Sequence, residues 1–238
     1  NGFDIACGLK TRFSDFVKEY LSAITDDRDI CSFKSFVQQD LCTWADAEYA
    51  FGQLTENINN VKQFKKSYRD FIKHLKQYLQ VQQNILNGKI RKQEKAAFIR
   101  GLKSFQRFLL DESKREFESC FNCMDTQTIQ YNFLVFNYTE VFENLLKRSL
   151  SDLSGNLGIV DLCGSNCDCK VASVLYVHGS LASPPIIFGV NDTDQIRYLL
   201  HRANPEMAQV LIKPVANKEL CPERFNNCIN IIRNSDVI

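Results

Sequence analysis

The 238 residues contain no apolar run long enough to cross a membrane. A span needs about 18 uncharged residues, and the densest stretches, such as Phe133 to Phe136 and Val174 to Val177, are far shorter. Excess charge is missing too: 29 Lys and Arg stand against 28 Asp and Glu, a balance that holds overall but not locally. Internal repeats and low-complexity tracts are absent, which excludes solenoids and fibrous assemblies. No Ser/His/Asp arrangement, no Gly-Lys-Thr phosphate loop and no zinc-protease motif occurs, and histidine is confined to positions 74, 178 and 201. What remains, 45% apolar and 24% charged, is ordinary globular composition. Folding at this size removes about 70% of the extended chain's surface, enough for a sizeable core. A soluble protein with no membrane partner is expected.

Cysteine is plentiful instead, with ten residues at 7, 31, 42, 120, 123, 163, 167, 169, 221 and 228. Spread through so long a chain, they read as reduced thiols and imply a cytoplasmic protein. Cys120-x-x-Cys123 followed by Cys163-x-x-x-Cys167-x-Cys169 has the ligand type of a structural zinc site but irregular spacing. The plainer reading is unpaired thiols beside a Gly/Ser/Asp-rich loop, and no metal is expected. No signal peptide is visible. The chain opens on the turn tetrad Asn1-Gly2-Phe3-Asp4 and closes on Asp236-Val237-Ile238, the entry to a strand, so further sequence is expected on each side.

From Thr11, a capping residue, apolar positions at Phe13, Phe16, Val17, Tyr20, Leu21 and Ile24 trace one face of a helix. Shorter stripes follow at Phe33, Phe36, Val37 and Leu41 and at Trp44, Ala47 and Phe51. The longest runs from about Thr55 to Leu86 and stops at Asn87-Gly88. A partner through Ala97, Leu102, Phe105, Phe108 and Leu109 would close a helical hairpin. After Asp125 the pattern changes to strand-length apolar runs at 133–136, 158–162, 174–177 and 186–190, with a helix through Val141, Phe142, Leu145 and Leu146 capped by Thr139. Strand, helix, strand predicts an α/β fold, a Rossmann-like parallel sheet flanked by helices. Residues 1–25 and 125–238 would form this core, with 26–124 a large helical insertion.

Residues 62–107 carry thirteen basic side chains against Asp70 and Glu94, a net +11, and the rest of the chain carries −10. Lys62, Lys65, Lys66, Arg69, Lys73 and Lys76 share one helix. This surface suits nucleic acid or an acidic partner. The plainer reading is a solvated outer face, because Tyr68, Phe71 and Tyr78 lie on the apolar stripe rather than between the bases.

Ligands of open parallel sheets bind at the carboxyl ends of the strands. Four turns qualify: Asn137-Tyr138-Thr139, His178-Gly179-Ser180, Asn191-Asp192, and Asn1 to Asp4 if a strand precedes it. Gly2 and Gly179 would let backbone approach a ligand closely, and the helices near Thr11 and Thr139 would aim amides at a phosphate. The site this predicts is nucleotide-like. Singly, Asn137 could close a turn, Asp4 cap a helix and His178 be a hydrogen-bonded strand-end histidine; together they form a constellation on one sheet edge. His74 and His201, the latter in a polar loop before Pro205, receive no catalytic role.

Asn1-Gly2-Phe3-Asp4, Gly8-Leu9-Lys10-Thr11, Ser14-Asp15-Phe16, Trp44-Ala45-Asp46-Ala47-Glu48, Phe136-Asn137-Tyr138-Thr139, Val177-His178-Gly179 and Ile187-Phe188-Gly189, met in this order, resemble the spaced motifs of the AbiH family of bacterial phage abortive-infection proteins. A more distant resemblance links Asn137-Tyr138-Thr139 and His178-Gly179 to sirtuin-like domains, with Thr139 where an acidic residue often stands. That resemblance implies a dinucleotide site, with NAD as ligand or substrate. His178 would serve as base, Asn137 would orient a water or ribose, and Asp4 or Asp192 would bind ribose or steady a developing cation. Asn1, Gly2, Phe3, Tyr138, Thr139, Gly179 and Asn191 would complete the nucleotide contacts. The function implied is an anti-phage effector that binds NAD and hydrolyses its nicotinamide-ribose bond. The alternative is a non-catalytic sensor or nucleic-acid-binding module acting through the basic hairpin.

Overall fold

A computed structural model describes residues 13–38, 48–49, 51–53, 55–58, 60–122, 128–150, 156–162 and 165–235. Helices α1 (Phe13–Ser22) and α2 (Arg28–Val37) lead into helical residues at 48–49 and 51–53 and a 3-10 turn at Thr55–Asn57. The long helix α3 runs over Val61–Lys89. It starts later than its apolar stripe because Asn60 caps it, the side chain accepting from Lys62 N at 2.9 Å and Gln63 N at 3.3 Å. Its buried positions Phe64, Tyr68, Phe71, Leu75 and Tyr78 advance by four and three, the spacing of one helix face. The expected cap at Thr11 lies outside the described residues.

Helices α4 (Lys92–Lys103) and α5 (Asp111–Asn122) follow. Here the structure corrects an expectation. α4 does not fold back along α3 as a hairpin; it packs on the helix that follows the first strand and on the second strand. Its Ile99 and Leu102, with Phe105 beyond it, pack against the apolar cluster of the sheet, while Val81 and Ile85 on α3 stay exposed.

The sheet consists of β1 (Thr128–Val135), β2 (Asn156–Leu162) and β3 (Ser165–Tyr176), with α6 (Val141–Ser149) between β1 and β2. Strand order is β1-β3-β2. β1 pairs parallel with β3, and β2 pairs antiparallel with β3. The expected Rossmann-like parallel sheet is therefore, among the described residues, a small mixed sheet in which only β1 and β3 are parallel. The reason is local: β2 and β3 are separated by two residues, a connection that only an antiparallel pair can use. The run 186–190 is buried throughout yet forms a single parallel bridge, Val190 to Ile212. Its amides find other acceptors, Ile187 N donating to His178 O and Val190 N to Leu211 O.

A 3-10 turn at Thr193–Gln195 precedes α7 (Leu199–Arg202), α8 (Pro205–Leu211), α9 (Lys213–Leu220) and α10 (Pro222–Asn234). Pro205, Pro214 and Pro222 sit in first turns, where a missing N–H costs nothing. His201, expected in a polar loop, lies in α7 and is buried, its Nε2 2.7 Å from the Ile58 carbonyl, to which it donates.

Two apolar clusters hold these elements. The larger joins α1, α2, α3 and α8 with Phe51, Phe188 and Val190; the smaller joins α5 to the inward faces of β2 and β3 through Phe117, Phe121, Leu157, Val160, Cys167 and Cys169. Side-chain packing in the larger cluster thus runs between residues 13–25, 26–124 and 186–212.

Candidate functional site

β1 and β3 run parallel, so their carboxyl ends, at Val135 and Tyr176, meet on one edge of the sheet. The register pairs these two residues, and Val177 N continues the ladder to Val135 O at 2.9 Å. Two of the predicted turns are thereby brought together. Leu181 N donates to Tyr138 O at 2.9 Å, and the Phe136 ring lies 5.7 Å from the His178 imidazole.

Asn137 is exposed at the rim, and Thr139 is half-buried behind it. Thr139 is not the cap of α6. That position falls to Glu140, whose N–H donates to Gln83 Oε1 of α3 at 2.7 Å and whose Oε1 accepts from Ala182 N at 2.7 Å. α3 thus fixes the first turn through one buried amide. Tyr138 turns inward: its hydroxyl lies 3.2 Å from both Glu48 Oε1 and Ile187 O. Burial first, and the nearby Glu48 carboxylate second, hold the Tyr138 phenol well above its usual range.

His178 is half-buried. Its Nδ1 is 3.0 Å from Asn217 Nδ2 on α9. Burial pulls its pKa down to about 4, and the cations of Lys213 and Arg224 pull in the same direction. The imidazole is neutral at physiological pH. Lys213, almost fully buried, forms a 2.6 Å ion pair with Glu48 Oε2. Arg224 on α10 donates to Ser183 O at 3.2 Å, Pro185 O at 3.3 Å and Asn217 Oδ1 at 3.4 Å.

Gly179 has φ +77, a conformation that L side chains rarely adopt. A Cβ there would stand 2.1 Å from Pro185 O and 2.9 Å from Arg224 Nη1. The space a side chain would take is filled by the protein itself: the glycine lets the turn close on Arg224.

Among the described residues, Asn191 and Asp192 make no hydrogen bond to this pair of turns. Both are exposed, and both serve the 3-10 turn: Asn191 N donates to Gln195 Oε1 at 2.6 Å, and Asp192 Oδ1 accepts from Asp194 N at 2.8 Å. Asn1, Gly2, Phe3 and Asp4 lie outside the described residues, as do Cys123 and Cys163. Cys167 and Cys169 point into the sheet core, and among the described residues no cluster of three or more metal-ligating side chains occurs.

Beside the turns opens a cleft of about 370 Å3, lined by Glu140, Glu143, Tyr176, Ser180, Glu223 and Arg224 among others. Arg224 lines this cleft, and its charge is also felt at the imidazole. Four polar residues of the site escaped the reading of the sequence: Glu48, Lys213, Asn217 and Arg224. Glu48 stood in a quoted motif, Trp44-Ala45-Asp46-Ala47-Glu48, and so had a signal. The other three are single polar residues on helices and had none.

No helix among the described residues is long and apolar enough to cross a membrane. No curated protein and no solved structure matches the chain, so the sirtuin-like resemblance rests on its motifs alone. A family model described as "Bacteriophage abortive infection AbiH" matches residues 1–234. That span takes in the turns after β1 and β3, Glu48 and the three helical partners of His178, and the chain belongs to the AbiH family of bacteriophage abortive infection.

Proposed function

We propose that this AbiH protein is an anti-phage effector that binds a nucleotide, with NAD as the leading candidate, at the edge where β1 and β3 end. The observation that supports the reading is the juxtaposition at that edge: the neutral imidazole of His178 with Lys213 and Arg224 behind it, beside a cleft carrying the carboxylates of Glu140, Glu143 and Glu223. With Lys213 paired to Glu48, it is Arg224, which has no ion-pair partner among the described residues, that makes the imidazole side favourable for a phosphate, while carboxylates accept from ribose hydroxyls. The β1–α6–β3 unit is the part of the fold that suits a Rossmann-like description. Asn137 at the rim would contact the ribose or an attacking water, and Tyr138, held by Glu48, would wall the site.

A pKa near 4 suits His178 to hydrogen bonding better than to proton abstraction, for a base works best with a pKa near the working pH. Binding is therefore the core of the proposal, and hydrolysis of the nicotinamide-ribose bond its extension. The test is calorimetric titration of the full chain with NAD and, separately, ATP, followed by chromatography of the mixtures. The reading expects NAD binding that weakens at least about tenfold in His178→Ala, one strong hydrogen bond's worth. No binding of either nucleotide would refute it.

One observation favours a second reading. On α3, Lys65 pairs with Glu206, and Lys66 with Asp27 and Asp29, but Lys62, Arg69 and Lys73 are exposed with no ion-pair partner among the described residues. A nucleic-acid-binding module would use those three cations, and RNA or DNA affinity falling steeply with salt would support it.

A further inference from the structure

The hydrogen bonds behind His178 form a directed chain. Arg224 has donors only, so the Asn217 atom facing its Nη2 at 3.4 Å must be the amide oxygen. That fixes the amide's orientation and turns its NH2 toward His178 Nδ1, 3.0 Å away. A donor at that distance requires Nδ1 to be the acceptor, and a neutral imidazole whose Nδ1 accepts carries its proton on Nε2. The Nε2 side has no hydrogen-bond partner among the described residues and is not among the buried orphaned atoms. Arg224 is itself held, by the carbonyls of Ser183 and Pro185 and by the space that Gly179 leaves.

We infer that Arg224 and Asn217 are positioning residues that lock His178 in its Nε2–H tautomer, so that the site meets its ligand with an N–H donor and selects one presenting an oxygen acceptor. The inference rests on the proposed ligand site for its second half only. A phosphoryl or carboxamide oxygen of a nucleotide satisfies such a donor. A hydroxyl whose proton must be removed does not, because the lone pair that would take the proton is occupied by Asn217. The charged groups that face the imidazole are Lys213 from α9 and Arg224 from α10, and both oppose its protonation.

Nitrogen-15 labelled protein, without ligand, tests the lock through long-range proton–nitrogen correlations of the His178 ring. The expected spectrum at neutral pH shows Nδ1 unprotonated and Nε2 protonated. An Nδ1–H spectrum, or two tautomers in comparable amounts, would overturn the inference. Asn217→Asp puts a carboxylate where the NH2 stood, so the ring should switch to Nδ1–H and its titration midpoint should rise from about 4 toward the usual 6.5. A merely structural Asn217 would leave both unchanged. Should that variant fail to fold, the wild-type spectrum decides alone, with Arg224→Lys as second variant, expected to mix the tautomers. Adding NAD separates the two claims: ring signals that stay put speak against the nucleotide, while the tautomer still reports on the lock.

Discussion

Around Phe71 five rings, those of Phe16, Tyr20, Phe33, Phe51 and Phe188, lie 4.6 to 6.3 Å away, and most of them also touch one another. Around His178 each polar atom has one partner or few: Nδ1 has Asn217, Lys213 has Glu48, and Tyr138 has Glu48 and a carbonyl. The first region is held by area and shape, which tolerate rearrangement; the second by directed bonds, each of which leaves an orphan when cut. The aromatic region therefore sets how stable the chain is, and the polar region sets what the strand-end turns present.

The largest effect should come from the aromatic region. Phe71→Ala removes a fully buried ring and is expected to cost about 3 to 5 kcal/mol by urea denaturation. Phe71→Leu should cost distinctly less, since the neighbouring rings can close around a similar volume. Equal losses would show that the region is as directional as the site.

Next comes the buried ion pair. Lys213→Met strands the Glu48 carboxylate beside Tyr138 and should cost about 2 to 3 kcal/mol, less than for a fully buried pair because Glu48 is one-quarter exposed. Adding Glu48→Gln should restore much of the loss, a coupling that a double-mutant cycle reads. Additive losses would mean that the pair is no unit.

Smaller still, between pH 7 and 5, is the effect of acid. Because the folded protein holds the His178 pKa near 4 against an ordinary 6.5, only the unfolded chain takes up that proton between those values. This contribution to stability is complete above pH 6.5, falls as pH drops, and is exhausted near pH 4. His178→Gln should flatten the fall in urea midpoint between pH 7 and 5. An unchanged slope would place an ordinary histidine there.

The stripes of α1 and α3 were legible because burial of one face imposes a helical period that survives in the sequence. So were the turns after β1 and β3, which follow the apolar runs directly. The alternation Asn166, Cys167, Asp168, Cys169, Lys170 is equally regular, exposed and buried in turn, but its cysteines invite a reading as thiols in a loop instead of as small apolar residues of a strand. The run 186–190 misleads for the opposite reason. It has the apolar content of a central strand, yet its amides use the carbonyls of His178 and Leu211 and the hydroxyl of Tyr68 in place of a strand ladder. Lys213, Asn217 and Arg224 reach His178 only because α9 and α10 fold onto the β3 turn, and single polar side chains on a helix leave no pattern that foretells it. The Asn1 to Asp4 turn lies outside the described residues.

Phage plating on cells that produce the chain tests most directly whether the His178 edge carries the activity. His178→Ala and Phe98→Leu should be compared with wild type at matched protein levels, with urea midpoints measured for each. Phe98 is a half-buried ring packed on Phe142 and is not among the residues that line the cleft, so its substitution controls for a small loss of stability. The account predicts that His178→Ala abolishes protection while remaining folded and that Phe98→Leu keeps it. Full protection by a folded His178→Ala variant would contradict the account.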